Sequence, residues 1–215
     1  MLQIENKNYK DTVFRLLFNN KIHLLELYNA INGSNYNDPD ALTIKTLSGE
    51  TFLNMKNDVS FLLDFELNLY EHQSTICPNI PLRELYYLAS TLMKEIPREK
   101  TYLKTRIEIP VPRFVVFYNS TSDLADKVTY NLSNLFVKKV SDPSIELKVT
   151  VYNVNAGHNK ALMETCKTLN SYSIFVAKVR KYKKEELVNY NNTHSPSFEM
   201  LVDKADADKT IVSPQ

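Results

Sequence analysis

Three polar side chains with the chemistry of metal ligands stand at the ends of two short, largely apolar runs. Asp58 precedes the run Val-Ser-Phe-Leu-Leu, and Glu71 and Gln73 end the alternating run Leu-Asn-Leu-Tyr-Glu-His-Gln. Carboxylate and amide oxygens are ligands that hard divalent cations prefer. If the two runs pair as a hairpin, these oxygens converge within reach of one such cation.

The two runs have the composition and the period of β-strands, and a two-residue turn at Phe65-Glu66 joins them. This turn sets Asp58 opposite Gln73, and Glu71 then lies on the same face, because opposed residues of an antiparallel pair point to one side. A slip of one residue would instead bring His72 opposite Asp58 and disperse the cluster. The register is therefore the prediction on which the candidate site depends.

The order of sequence blocks around these residues resembles the recombination-promoting nuclease and putative transposase family, a member of the PD-(D/E)XK nuclease superfamily. The resemblance spans roughly Tyr9 to Tyr182. Its blocks are Asn57-Asp58, Glu71-His72-Gln73-Ser74-Thr75, Pro78-Asn79-Ile80-Pro81-Leu82-Arg83, Phe114-Val115-Val116-Phe117-Tyr118-Asn119, and Asn153-Val154-Asn155-Ala156-Gly157-His158-Asn159-Lys160.

This resemblance implies a restriction-endonuclease-like core and a metal-dependent endonuclease that acts on double-stranded DNA in recombination or mobile elements. Asp58 and Glu71 map onto the acidic metal ligands, for Mg²⁺ or Mn²⁺, and Gln73 maps onto the third catalytic position, where the superfamily has Lys. An amide adds no positive charge beside the developing oxyanion, so activity would depend more on the metal. The alternative is a catalytically weak or inactive nuclease-fold module that binds DNA or a protein partner.

A helix predicted after Pro78, ended by Pro97, would bring basic residues towards the site. Arg83 in its first turn suits bidentate contact with a DNA phosphate, and Lys94 lies on the same face. The competing interpretation of Arg83 is a solvated arginine on an exposed helix face. The opposite, core-facing side is predicted to consist of Leu82, Leu85, Tyr86, Ala89, Leu92, Met93 and Ile96.

The N-terminal part of the chain predicts one long helix from Asp11 to Ile31, which Gly33 helps to end. Asp11 near its beginning would stabilise the positive end of the helix dipole. The resemblance offers a second role, because first helices of the superfamily often lend an acidic residue to the site. Glu26 is an alternative donor for that role.

The remaining elements predict an α/β fold with a mixed sheet, an antiparallel hairpin plus a parallel crossover strand, and helices on both faces. Phe114 to Tyr118 should be a strand covered on both faces, and Ile145 to Val151 should be a strand nearer an edge. The other predicted elements are a strand at Ala41–Leu47, partial helix over Asp123–Val140, and helices over Gly157–Asn170 and Tyr172–Val188.

Several residues with reactive side chains favour structural roles. On the predicted register His72 faces away from Asp58, which favours a packed or hydrogen-bonded histidine. Cys166 lies on the apolar stripe of a helix and favours a small core residue. The basic run Lys178 to Lys184 is more typical of a solvated helix face than of a phosphate site.

The chain as a whole has the size and composition of one soluble domain, predicted at residues 1–188, followed by a polar tail at 189–215. A formal net charge of +1 excludes a globally basic nucleic-acid binder. Two cysteines without metal-ligand spacing indicate a reducing compartment, and no apolar run is long enough to cross a membrane, so we expect a cytoplasmic protein. Symmetric DNA-cutting enzymes suggest by analogy a homodimer.

Overall fold

The computed structural model describes residues 9–45 and 58–193, with side chains described through residue 185. It contains five α-helices and six strands within those ranges. They are α1 (Tyr9–Phe18), α2 (Lys21–Asn32), β1 (Thr43–Ile44), β2 (Val59–Leu63), β3 (Glu66–Gln73), α3 (Ile80–Glu95), β4 (Val111–Tyr118), β5 (Lys127–Asn131), β6 (Lys148–Asn153), α4 (Lys160–Thr165) and α5 (Lys167–Thr193). Short 3₁₀ turns occupy Pro39–Ala41, Arg98–Tyr102 and Leu132–Leu135.

The six strands form one open mixed sheet in the order β1-β2-β3-β4-β6-β5. The pairs β1/β2, β2/β3 and β5/β6 are antiparallel, and the pairs β3/β4 and β4/β6 are parallel. Helix α3 connects β3 to β4, and this crossover makes the two strands parallel. The predicted α/β class, with an antiparallel hairpin and a parallel crossover strand, is therefore confirmed.

Helices cover both faces of the sheet. The successive residues of each strand point alternately to one face and the other. On one face, Ile80 and Tyr87 of α3 pack with Leu67, Leu69 and other buried residues of the main apolar cluster. On the other face, Phe14 of α1 contacts Phe117 with ring centroids 5.2 Å apart and Tyr172 with centroids 5.6 Å apart. The run Phe114 to Tyr118 is buried, as predicted for a strand covered on both sides.

The hairpin between β2 and β3 forms where expected, but the predicted register is wrong by two residues. Leu63 pairs with Glu66, so the turn residues are Asp64 and Phe65. Asp64 has a φ of 49°, a left-handed conformation that aspartate tolerates better than most residues, and Tyr36 donates a hydrogen bond to its carboxylate over 2.5 Å. Because a two-residue slip preserves the strand alternation, each side chain keeps its predicted face.

Helix α3 begins and ends close to its predicted limits but buries a different face. The buried residues include Glu84, Tyr87 and Thr91, whereas Met93 is 77% exposed. Leu82 and Tyr86, which were also predicted to face the core, are exposed. The prediction was wrong because it selected the most apolar stripe, and this helix turns a partly polar face towards the end of β3.

The predicted N-terminal helix is divided into α1 and α2 at Asn19-Asn20. Asn20 leaves the helical conformation, with a φ of −86° and a ψ of 124°, and its side chain accepts hydrogen bonds from the backbone amides of Ile22 and His23. This is the geometry of a strong N-cap. Gly33 ends α2 in a left-handed conformation, as predicted.

The C-terminal half departs from prediction in two places. The segment Asp123–Val140 contains the edge strand β5 and a 3₁₀ turn rather than an α-helix, because Lys127 to Asn131 pairs with β6 along its full length. The last two helices meet at Cys166 rather than at Asn170-Ser171. Strand β6 alternates between buried and less buried residues as expected, and it lies one position from the sheet edge.

By its internal contacts the chain divides into two units, Met1–Ile174 and Phe175–Gln215. In the second unit α5 continues to Thr193, so Asn189 to Thr193 of the predicted tail are helical. Its basic side chains Lys178, Lys181, Lys183 and Lys184 are exposed, as expected for a solvated face. The rest of the tail, Asn57, and the end of the predicted first strand at Thr46-Leu47 lie outside the described residues. No helix in the described ranges has the length and apolarity needed to span a membrane.

Candidate functional site

The polar residues singled out in the sequence meet where β2 begins and β3 ends. Val59 pairs with Tyr70, so the next position in the register sets Asp58 opposite Glu71. The backbone N–H of His72 donates a hydrogen bond to Asp58 Oδ2 over 2.8 Å, which ties this carboxylate to β3. Gln73 follows Glu71 on the same face, and both residues are buried. The observed register therefore sets Asp58 directly opposite Glu71. In the predicted register Asp58 lies opposite Gln73 and only diagonal to Glu71, so the observed register brings Asp58 and Glu71 closer together.

Helix α3 adds Arg83 to this cluster through an ion pair with Glu71. The guanidinium Nη2 contacts Glu71 Oε1 and also donates to the hydroxyl of Tyr87 over 3.4 Å. The sequence predicted that Arg83 would be directed at a phosphate. In this structure its charge is instead directed at the carboxylate of Glu71, although about a third of the Arg83 side chain remains exposed.

Glu84, the residue after Arg83, is a buried carboxyl group that the sequence did not indicate. Its exposed fraction is 0%, and neither of its carboxyl oxygens has a hydrogen-bond donor, nor does Glu71 Oε2. Burial, and then the neighbouring Glu71, raise the pKa of Glu84 well above its usual range. Burial is also the main reason why the pKa of Glu71 rises to about 7, despite the opposing effect of Arg83. One proton held between the two carboxyl groups would satisfy oxygen atoms that otherwise lack a partner.

Asp58 lies between helix α1 and the carboxyl pair of Glu71 and Glu84. Its Oδ1 is 3.7 Å from Nε of Arg15, whose side chain is half exposed. Burial raises the pKa of Asp58, and the hydrogen bond from His72 acts in the opposite direction. Asp58 also forms part of the wall of an open groove of about 630 Å³ along α1. It is thus the carboxylate of the cluster that reaches this groove.

Asp11 contacts His72 and is part of a hydrogen-bonded chain that crosses the domain. Its Oδ1 is 2.5 Å from His72 Nδ1, and His72 Nε2 is 2.8 Å from the hydroxyl of Tyr172. The imidazole is fully buried and connects α1, β3 and α5, in agreement with the prediction of a hydrogen-bonded histidine. Glu26, the alternative acidic residue, accepts hydrogen bonds from the amide of Lys167 and the hydroxyl of Thr168, so it caps α5.

Lys94 is not brought to the cluster. It is exposed near the end of α3, eleven residues after Arg83, which corresponds to roughly 16 Å along a helix axis. Its neighbour Glu95 accepts a salt bridge from Lys45 over 3.0 Å.

The block from Asn153 to Lys160 forms a loop at the carboxyl end of β6. Asp126 organises this loop, because its carboxylate is 2.7 Å from His158 Nδ1 and accepts from the amide of Asn159. Asn153 holds the loop from within by accepting hydrogen bonds from the backbone and the side chain of Asn155. The side-chain amide of Asn119, at the end of β4, donates to the carbonyl of Val154. These hydrogen bonds stabilise the conformation of the loop.

The donor atoms of the cluster fit a hard divalent cation in their chemistry. Asp58 and Glu71 supply two carboxylates and Gln73 an amide oxygen, and Mg²⁺ is commonly held by one or two carboxylates while it keeps several waters. Within residues 9–45 and 58–193, no group of three or more His, Cys, Asp or Glu side chains is spaced to hold a metal ion. The cluster therefore offers two carboxylates as ligands, and each already lies beside a guanidinium, Asp58 beside Arg15 and Glu71 beside Arg83.

A comparison with protein-family models found no match, and comparisons with the curated proteins and with the solved structures found none either.

Proposed function

We propose that this protein is a divalent-metal-dependent DNA endonuclease with a restriction-endonuclease-like core, used in recombination or by mobile elements. The observation that carries the proposal is the opposition of Asp58 and Glu71 at the end of the β2/β3 hairpin, with Gln73 on the same face as Glu71. The sequence blocks supply the link to recombination.

The topology supports the proposal because it places the cluster at the carboxyl end of β3. The ends of β3, β4 and β6 that carry Gln73, Asn119 and Asn153 lie side by side, since the three strands are parallel. Ligands of open α/β sheets commonly bind outside the carboxyl ends of parallel strands. A hairpin followed by a crossover helix and a parallel strand is also the core arrangement that the family resemblance implies.

The residues have distinct roles in this reaction. Asp58 and Glu71 would hold Mg²⁺ or Mn²⁺, which when bound supplies a Lewis acid that polarises the phosphate and makes water more acidic. Gln73 orients the attacking water or the phosphate through its neutral amide. Arg83 is placed to contact a phosphate oxygen once its guanidinium is released from Glu71.

One observation favours a second candidate, a nuclease-fold module that binds DNA or a protein without cutting efficiently. Arg83 occupies an oxygen of Glu71, and the raised pKa of Glu71, about 7, leaves about half of this group without the negative charge that a metal requires at neutral pH. Both features lower the affinity for a cation at neutral pH.

The experiment that separates the two candidates is cleavage of supercoiled plasmid by the purified protein in Mg²⁺, Mn²⁺ or EDTA. The variants are Asp58→Ala and Glu71→Ala, each checked for folding by circular dichroism. Glu108→Ala is the matched control, because Glu108 is a carboxylate whose side chain is 83% exposed.

We expect metal-dependent nicking that both site substitutions abolish and the control leaves unchanged. Gln73→Glu should also reduce cleavage, since a third negative charge repels the phosphate. A folded wild-type protein that cuts no DNA in either metal would remove the catalytic part of the proposal and leave the binding module.

A further inference from the structure

The groove beside Asp58 is formed by one side of α1 and the turn that follows it. Its lining residues are Thr12, Arg15, Leu16, Asn19, Asn20 and Asp58. Its volume is about 630 Å³, and it is open to solvent along α1. The groove is therefore lined both by Asp58, a carboxylate of the candidate site, and by a cation.

Arg15 is the cation of this groove. Its side chain is half exposed, and its Nε is 3.7 Å from Asp58 Oδ1, which is longer than a hydrogen bond. A guanidinium has five N–H donors in a planar fork, so this one loose contact leaves donors directed at the groove. The exposed side chain of Leu16 next to it offers an apolar surface suited to a sugar ring.

We infer that Arg15 binds a backbone phosphate of DNA and that one strand of the DNA lies in the groove along α1. The inference rests on the proposed function only in taking DNA as the ligand. The sequence predicts phosphate contacts on the opposite side, at Arg83 and Lys94 of α3. On α3, Arg83 pairs with Glu71 and Lys94 lies about 16 Å farther along the helix, whereas Arg15 lies beside Asp58.

A simpler role for Arg15 would be to neutralise the nearby charge of Asp58 without touching DNA. The two roles differ in a double-mutant cycle. If Arg15 acts only through Asp58, its replacement has no effect on DNA binding once Asp58 is Asn. If it contacts phosphate, the loss persists in the Asp58→Asn background.

The test is fluorescence anisotropy with a short labelled DNA duplex in EDTA, repeated over a range of salt concentrations. The chains compared are wild type, Arg15→Gln, Arg15→Lys, Asp58→Asn and the double variant Asp58→Asn/Arg15→Gln. Arg106→Gln is the matched control, because its side chain is 86% exposed and lies in the connector before β4, at the opposite end of β3. All variants are checked for folding by thermal unfolding.

Arg15→Gln should raise Kd about tenfold, the size expected for one charge-assisted hydrogen bond. It should also reduce the slope of log K against log salt by about 0.9, the value for one phosphate contact on duplex DNA. Arg15→Lys should recover part of the affinity and the full salt slope, and Arg106→Gln should match wild type.

Three results would overturn the inference: equal binding by Arg15→Gln and wild type, an equal loss in Arg106→Gln, or disappearance of the effect in the Asp58→Asn background. Absence of DNA binding by folded wild type would overturn it as well. Weaker binding by Arg15→Gln in a protein that cuts no plasmid would support the groove while refuting the nuclease proposal.

Discussion

Replacement of Glu71 by Gln should make the metal-free protein more stable at alkaline pH. Glutamine has the shape of the protonated side chain and can still accept a hydrogen bond from Arg83. The pKa of Glu71 is raised from 4.5 to about 7 by burial. This difference of about 2.5 pKa units corresponds to about 3 kcal/mol, because one unit corresponds to 1.36 kcal/mol.

The sign follows from the protons bound in each state. Between pH 4.5 and pH 7 the folded protein retains the Glu71 proton that the unfolded chain has released. Stability is therefore fully present below pH 4.5, falls as the pH rises through about 7, and stays low above it. Glutamine does not titrate, so the stability difference between Glu71→Gln and wild type should grow from near zero at pH 4 to as much as about 3 kcal/mol at pH 8.5.

The measurement is urea unfolding in EDTA, followed by circular dichroism at a series of pH values, for wild type and for Glu71→Gln. Glu108→Gln is the control, since an exposed carboxylate should give a difference near zero throughout. A difference that is flat with pH, or one that decreases as the pH rises, would refute the assignment of a raised pKa to Glu71. Glu71 also raises the pKa of Glu84, so the comparison is repeated in the Glu84→Gln background, where Glu71 is the member of this pair that titrates.

Two further substitutions test how the site is supported. Tyr172→Phe removes the buried hydrogen bond to His72 Nε2 and should lower the free energy of unfolding in urea by about 1 kcal/mol or more. The control is Tyr182→Phe at an exposed position, which should not change that free energy measurably. Asn20→Ala removes the N-cap of α2 and should cost about 1 kcal/mol, whereas Asn19→Ala on the exposed turn should cost much less; equal losses would contradict the capping role.

The strand framework could be predicted because its patterns are local. The alternation of β3 and the apolar run of β4 identified both strands, and the intervening helix was long enough for the parallel crossover that was predicted. The hairpin register could not be fixed in this way. It depends on whether Asp64 adopts a left-handed conformation, and the hydrogen bond from Tyr36 that supports it comes from a residue 28 positions earlier.

The residues that sequence reasoning missed are those placed by tertiary contacts. The more apolar side of α3 is the more exposed one. A local pattern of apolar residues therefore places Glu84 on the solvated side of the helix and does not reveal that it is buried. Arg15 stands four residues after Asp11, and this spacing indicates only a shared helix face. Asn20 did carry a usable signal, since asparagine before an apolar-periodic segment is typical of an N-cap and would have divided α1 from α2.

The charges of the cluster explain how three carboxyl groups, those of Asp58, Glu71 and Glu84, lie close together. Each proposed metal ligand has its own guanidinium, Arg15 for Asp58 and Arg83 for Glu71, and Glu84 avoids a further charge by remaining protonated. A divalent cation held by Asp58 and Glu71 would replace the two guanidiniums as their counter-charge. On the proposed function, the two arginines released in this way would be available to bind phosphate oxygens.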